Sequence, residues 1–325
     1  MSASEDGSIR QWTRDGKPIG KPLHSDGGGV KSLTVSADGA MVVSGGVDGR
    51  LRLWNIKEGR VVGDSLGGHK DQVECLDWSP NGLEIVSGSQ DDTVRRWNPD
   101  TGRQVGPTID TGHGLVYAIK YSPRSAKIAT GGEDRTIRVW SKNGNLLIEI
   151  KGHDYWVKSL CWSKDGAHIF SGSADRTIRK WQLIDGKEVF VLRGHTNNVS
   201  SICVSPDEQH LVSASYDYSV RIWDLKTNQQ VGDPLLHDDQ LLTVVLSSDG
   251  RHIVSAGLDS KIYVWTFEAA LRHAGDQVRA HLSISAHALI GFVLNEQPDV
   301  NLKVSHPSLS FAQHLNSSPG TRNVT

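Results

Sequence analysis

Seven tryptophans return along the chain at an almost fixed interval, and no other feature limits the fold so strongly. They are Trp12, Trp54, Trp97, Trp140, Trp181, Trp223 and Trp265, separated by 42, 43, 43, 41, 42 and 42 residues. Six residues before each stands an aspartate: Asp6, Asp48, Asp91, Asp134, Asp175, Asp217 and Asp259. Ten residues before each stands a hydroxyl: Ser2, Ser44, Ser87, Thr130, Ser171, Ser213 and Ser255. His24, His69, His113, His153, His195 and His237 lie 27 to 30 residues before the last six tryptophans, four of them after a glycine; the first copy lacks its histidine. Self-similarity at this period marks one supersecondary unit that is stacked on copies of itself.

Each unit reads as β structure. In the fifth copy VKSLCWS, HIFSGS, TIRKW and KEVFVLR are short runs rich in β-branched and apolar residues, and turn segments such as SKDG and ADR separate them. Four strands per copy leave no room for helices between them. The 325 residues alone would suggest two domains, but the repetition replaces that estimate with one array. A lone four-stranded sheet cannot bury both faces, so each copy must lean on its neighbours, and seven in a ring expose no end unit.

The segments GHTNNVSSICVSPDEQHLVSASYDYSVRIWD (194–224) and GHDYWVKSLCWSKDGAHIFSGSADRTIRKW (152–181) closely resemble the WD40 repeat, with its Gly-His start, Ser-Pro-Asp turn and Trp-Asp end. The Trp-Asp pair itself survives at Trp223-Asp224; Asn, Ser, Gln or Thr follows the tryptophan in other copies. The spacers GKPIGKPLH and QQVGDPLLH are similar to those of WD40 arrays in fungal proteins, some attached to nucleotide-binding signalling domains. The resemblance covers about residues 1–267 and implies an all-β, seven-bladed β-propeller whose first blade is incomplete at the N-terminus.

Ser, His and Asp together are also the ingredients of nucleophilic catalysis. A catalytic set occurs once per site, whereas this one appears six times complete, with His24, Ser44 and Asp48 before Trp54 as one of the copies. The resemblance implies instead a structural hydrogen-bond chain from turn Asp to His, to the hydroxyl, to the indole N–H. It would link Asp91, His69, Ser87 and Trp97; Asp134, His113, Thr130 and Trp140; Asp175, His153, Ser171 and Trp181; Asp217, His195, Ser213 and Trp223; and Asp259, His237, Ser255 and Trp265.

No other catalytic constellation stands out. Asp26-Gly27-Gly28-Gly29 lacks the Gly-Lys-Ser/Thr of a phosphate loop and reads as a loop lengthened by two residues, and there is no His-Glu-x-x-His motif. Cys75, Cys161 and Cys203 sit in equivalent segments, in odd number and without metal-like spacing, as small buried residues would. Asn198, Asn316 and Asn323 head chance glycosylation sequons. Arg10, Arg52, Arg95, Arg138, Arg179 and Arg221, two before each tryptophan, are expected to pack their stems under a solvated head. The reading is therefore of a protein without enzymatic activity, cofactor or metal.

A net charge of −2 without a Lys/Arg block gives no electrostatic footprint for nucleic acid or an anionic membrane. Other proteins are the expected partners, with the chain monomeric or part of a larger complex. No long apolar run and no leader-like start are present, so a cytoplasmic location is expected, with the nucleus open as well.

Partner information must lie in positions that vary between copies. By resemblance, two columns map to the rim beside the central channel. The residue about three after each His gives Gln72, Leu115, Trp156, Asn198 and Gln240; the residue before each turn Asp gives Val47, Gln90, Glu133, Ala174, Tyr216 and Leu258. Trp156 with Tyr155, and Tyr216 with Tyr218, fall in adjacent copies, and exposed aromatics are common interface anchors; the alternative for Trp156 is a plug between blades. Trp78 and Trp162 read as core. The leading functional expectation is a scaffold or adaptor. A reader of modified peptides, such as a ubiquitin-ligase substrate receptor, is the alternative, and a propeller enzyme comes last.

After Trp265 the repeat stops. Residues 268–325 form an extension in which 267–273 (FEAALRH) reads as a short helix and 282–295 (LSISAHALIGFVLN) as a strand that could return to complete the first blade. Otherwise the chain would be a fragment of a longer array with a frayed first blade. From Gln297 onward the composition suggests a disordered tail.

Overall fold

The computed structural model describes residues 1–13, 16–271, 280–283 and 289–292. Seven antiparallel sheets form seven blades, each running from an inner strand a to an outer strand d. Blade 5 shows the plan: a, Val157–Trp162; b, His168–Ser173; c, Thr177–Gln182; d, Glu188–Arg193. The register places Leu160 opposite Ser171, and Ser171 opposite Arg179. Blade 2 differs at its outer edge, where Arg60–Val61 and Leu66–Gly67 pair separately with Arg50–Asn55.

The b–c turn repeats in every blade. The turn aspartate accepts a hydrogen bond from the backbone amide two residues on, at 2.8–3.2 Å from Asp6 to Asp259. The residue between is left-handed each time: Gly7, Asp92, Arg135, Arg176, Tyr218 and Ser260 in six blades, and Gly49 in blade 2. This is an Asx turn, built from a side chain that mimics a backbone acceptor.

Seven apolar clusters fill the seams between consecutive blades. Each repeat tryptophan closes the seam with the blade before it. Trp181 of blade 5 packs with Ala118, Val139 and Ile150 of blade 4, and Trp97 of blade 3 with Val43, Leu53 and Leu66 of blade 2. Trp12 of blade 1 packs with Val254, Ala256 and Ile262 of blade 7. This burial of apolar surface, at about 25 cal/mol per Å², makes neighbouring blades depend on one another, as stacked repeats do.

Two strands occupy the region that the sequence suggests as one, 282–295. Ala280–Ser283 is the outer strand of blade 7, paired with Lys261–Thr266. Leu289–Phe292 pairs with Ser2–Ser4 as the inner strand of blade 1, lying between strand a of blade 2 and strand a of blade 7. A short helix, Phe267–Leu271, follows the last tryptophan-bearing strand. The proposed disordered tail from Gln297, the sequons at Asn316 and Asn323, and residues 272–273 of the suggested helix lie outside the described residues.

Candidate functional site: the channel mouth and its rim

Beneath the rim, polar chains fix the loops that carry it. In blade 5 the Trp181 indole N–H donates to Ser171 Oγ at 2.8 Å, Ser171 lies 2.6 Å from His153 Nε2, and His153 Nδ1 lies 2.7 Å from Asp175. A carboxylate only accepts, so Nδ1 carries a proton directed at Asp175, and Ser171 joins Nε2 to the indole. The same connections hold in blade 3 (Trp97, Ser87, His69, Asp91), blade 4 (Trp140, Thr130, His113, Asp134) and blade 6 (Trp223, Ser213, His195, Asp217). In blade 7 Trp265, Ser255 and His237 are joined, but His237 Nδ1 stands 3.6 Å from Asp259. Tyr263, in place of the usual arginine, packs its ring 3.8 Å from that of His237. Ser87, Thr130, Ser171, Ser213 and Ser255 are fully buried, so none can meet a substrate; the Ser–His–Asp sets are internal struts.

The turn aspartates feel these contacts. Burial alone would raise their pKa values, but hydrogen bonds from the histidine and from Thr93, Thr136, Thr177 or Ser219 outweigh it. Asp91, Asp134, Asp175 and Asp217 are held well below the usual carboxylate range. Burial also lowers His195, against the pull of Asp217.

Blade 2 corrects two expectations. His24 is exposed at the end of the outer strand of blade 1, Pro18–His24, and joins no such chain among the described residues. Arg52 occupies that region instead, with Nε 2.5 Å from Asp26 and Nη2 2.7 Å from Asp48. Gly27 lies directly over this pair, where a Cβ would fall 2.1 Å from Asp48 Oδ2. The two extra loop residues displace His24 and leave a space that arginine fills. Nor are the repeated arginines simply solvated. Arg138 binds Asp134 and Glu149, Arg179 binds Glu188, and Arg95 and Arg221 bind Gln104 and Gln230, tying strand c to the outer edge.

The two variable columns meet around the rim. Gln90 N donates to Gln72 O, Glu133 N to Leu115 O, Ala174 N to Trp156 O, Tyr216 N to Asn198 O, and Leu258 N to Gln240 O, at 2.9–3.0 Å. Tyr155, Tyr218, Val47 and Leu258 are exposed, whereas Ala174 is buried. Trp156 is half-buried. Its ring lies 5.6 Å from Tyr117 of blade 4 and 5.0 Å from Tyr155, so it bridges two blades at the channel mouth. Tyr216 lines the channel, a cavity of about 630 Å³.

Sequence reasoning missed a third column: Lys31, Glu74, Tyr117, Lys158, Ser200 and Leu242, all lining the channel. Each follows the first buried residue of strand a (Val30, Val73, Val116, Val157, Val199, Leu241), where a bulge interrupts the alternation of the strand, so a period of two read along the sequence does not single it out. Burial, with Glu133 and Glu74 nearby, pushes Tyr117 up to about 12. Cys75, Cys161 and Cys203 all border the channel, Cys75 buried and the other two partly so; burial raises all three thiols, Cys203 to about 12. Such thiols are poor nucleophiles. Among the described residues no cluster of His, Cys, Asp and Glu has the makings of a metal site. Trp78 and Trp162 are half-buried at the far ends of their inner strands, their indoles donating to Gly82 O and Lys120 O.

A family model described as WD domain, G-beta repeat matches residues 16–55, 61–98, 106–141, 144–182, 186–224 and 234–266. Each matched segment ends one residue after a repeat tryptophan, from Trp54 to Trp265. No curated protein matches the chain.

Proposed function

The chain belongs to the WD40 repeat family, and from that premise we propose that it is a non-catalytic scaffold that holds other proteins against the channel-side rim of the propeller. The observation that carries this reading is the convergence of the two variable columns. Residues that differ from copy to copy are brought side by side by the turn hydrogen bonds, while the residues that repeat are spent on seams and struts. Tyr155, Trp156, Tyr216 and Tyr218 form an arc over blades 5 and 6, with Gln72, Gln90, Leu115, Glu133, Asn198, Gln240 and Leu258 around it; aromatic anchors within a mixed polar rim suit a protein interface. The free thiols of Cys75, Cys161 and Cys203 suit a reducing compartment, the cytoplasm or nucleus.

The test is affinity purification with mass spectrometry on three chains: the parent, the Trp156→Ala/Tyr216→Ala double variant, and Ile184→Ser, which changes an exposed residue (85%) in a c–d turn. Proteins retained by the parent and by Ile184→Ser but lost from the double variant, with melting unchanged, support the rim. Retention by the double variant moves the interface elsewhere.

A further inference from the structure

Three lysines line the channel, and two of them are neutralised at contact distance. Lys31 Nζ lies 2.8 Å from Glu5 and Lys120 Nζ 2.8 Å from Asp77. Lys158 differs: its Nζ stands 3.2 Å from the centre of the Tyr117 ring and 4.9 Å from that of Trp156. Ring faces attract a cation through their quadrupole, and they hold Lys158 as an ammonium. Two carboxylates share this mouth. Glu74, on the inner strand of blade 3, lines the channel and accepts a hydrogen bond from the uncharged Gln90 amide at 2.5 Å. Glu133, in the b–c turn of blade 4, lies over Gly114, where a Cβ would fall 3.0 Å from Glu133 Oε2. Both carboxylates act on Lys158 and on Tyr117 through space, yet among the described residues neither has a lysine, arginine or histidine nitrogen at contact distance.

We propose that the channel mouth is a receptor for a cationic side chain of a partner protein, and that Lys158 occupies it in cis until that side chain takes its place. The inference rests on the rim as the binding face and supplies the chemistry of its anchor. Charge argues for a cation. With Lys31 and Lys120 neutralised, the mouth sets one ammonium against two carboxylates and keeps an excess of negative charge. An acidic anchor would be repelled by Glu74 and Glu133, and an apolar one would take water from them without neutralising them. The exchange costs little at the rings, because one cation replaces another on Tyr117 and Trp156, and the displaced Lys158 turns its flexible stem toward solvent. The incoming charge then balances the second carboxylate. The receptor is also placed to read a protruding residue. Tyr155, Trp156 and Glu133 belong to the rim loops that differ from copy to copy, and Trp156 leads directly into Val157–Trp162, the strand that carries Lys158.

Binding is read by fluorescence anisotropy with the labelled peptide Gly-Ser-Ala-Arg-Ala-Ser-Gly and its lysine and norleucine counterparts, on the full-length chain and on variants that melt as the parent does. Lys158→Ala should bind a basic peptide at least about fivefold more tightly than the parent, because the internal competitor is gone. Adding Tyr117→Leu to that variant should abolish the gain, and adding Glu74→Gln with Glu133→Gln should weaken binding by at least about threefold. The arginine and lysine peptides show which cation the mouth prefers, and the norleucine peptide should not bind. Basic-peptide binding by Lys158→Ala no tighter than by the parent, or norleucine binding as tight as arginine and lysine, overturns the proposal. That failure is distinct from a failure of the rim reading: proteins lost from Trp156→Ala/Tyr216→Ala while Lys158→Ala gains no basic peptide would sink the cationic anchor and keep the rim.

Discussion

The turn aspartate does the most chemistry per residue. In blade 5 the Asp175 carboxylate accepts from His153 Nδ1 (2.7 Å), Thr177 Oγ1 (2.6 Å) and the backbone amides of Thr177 (2.9 Å) and Asp154 (3.1 Å). Asp175→Ala leaves several of these donors without an acceptor at once, and a loss of roughly 2–3 kcal/mol is expected in urea unfolding; melting equal to that of the parent would mean that the network carries no stability. The same contacts set a pH dependence. Asp91, Asp134, Asp175 and Asp217 have folded pKa values below that of an unfolded aspartate, about 3.9. Their contribution is therefore complete above about pH 5 and is lost as pH falls through the carboxylate range. His195, neutral in the fold and lowered by burial, adds a smaller loss as pH falls below about 6.5. Unfolding near pH 3 should thus take up protons, and Asp175→Asn should take up about one fewer. An identical slope of stability against pH for parent and variant would show that Asp175 titrates as in the unfolded chain.

A whole blade shows what local context adds to residue type. Blade 2 has the tryptophan, hydroxyl and aspartate of its siblings, with Trp54 Nε1 donating to Ser44 at 2.8 Å, yet an arginine caps it. His24→Ala is expected to change stability by less than about 0.5 kcal/mol, since the side chain is exposed. Arg52→Ala, which leaves Asp48 without its guanidinium, should cost about 2 kcal/mol or more. Equal losses in the two variants would put His24 back beneath the rim. This blade also marks how far the sequence could be read. Counting back from the tryptophan selects His24 by interval, and the interval of 30 residues rather than 27 or 28, with the lengthened loop at Asp26-Gly27-Gly28-Gly29, marks the insertion without showing that it moves the histidine. The seven-fold period, the β character and the b–c turns were legible because each is a local pattern repeated. The Tyr117–Trp156–Lys158 contact was not, because its members come from two blades and meet only across a seam. Trp156, for which the sequence leaves both the rim and a plug between blades open, is half-buried with its ring 5.6 Å from Tyr117 of the neighbouring blade.

At the scale of the molecule, seven seams make a closed circuit, and one blade is assembled from both ends of the described chain. Leu289–Phe292 supplies the inner strand beside Ser2–Ser4, a pairing of sequence-distant segments whose closure entropy grows only with the logarithm of the loop. Such closure costs little in stability for its length, but it is a non-local contact, the kind that forms slowly in folding. The strand has four residues and an irregular register between Ala3 and Ser4, so blade 1 is held by fewer ladder bonds than blades 4 to 6, whose inner strands have six residues. A chain ended at residue 284 keeps the outer strand of blade 7 and, among the described elements, loses only Leu289–Phe292. Because repeat stability propagates through neighbours, the damage should be graded. Amide exchange in Ser2–Ser4 and Ser8–Trp12 is expected to quicken by at least about tenfold through local opening. The seam of Trp12 with Val254, Ala256 and Ile262 should loosen next, while Val116–Tyr121 and Val157–Trp162, on the opposite arc, keep their protection. Uniform loss around the ring would mean that the propeller unfolds as one cooperative unit rather than seam by seam, and unchanged protection in blade 1 would mean that residues 289–292 do not close it.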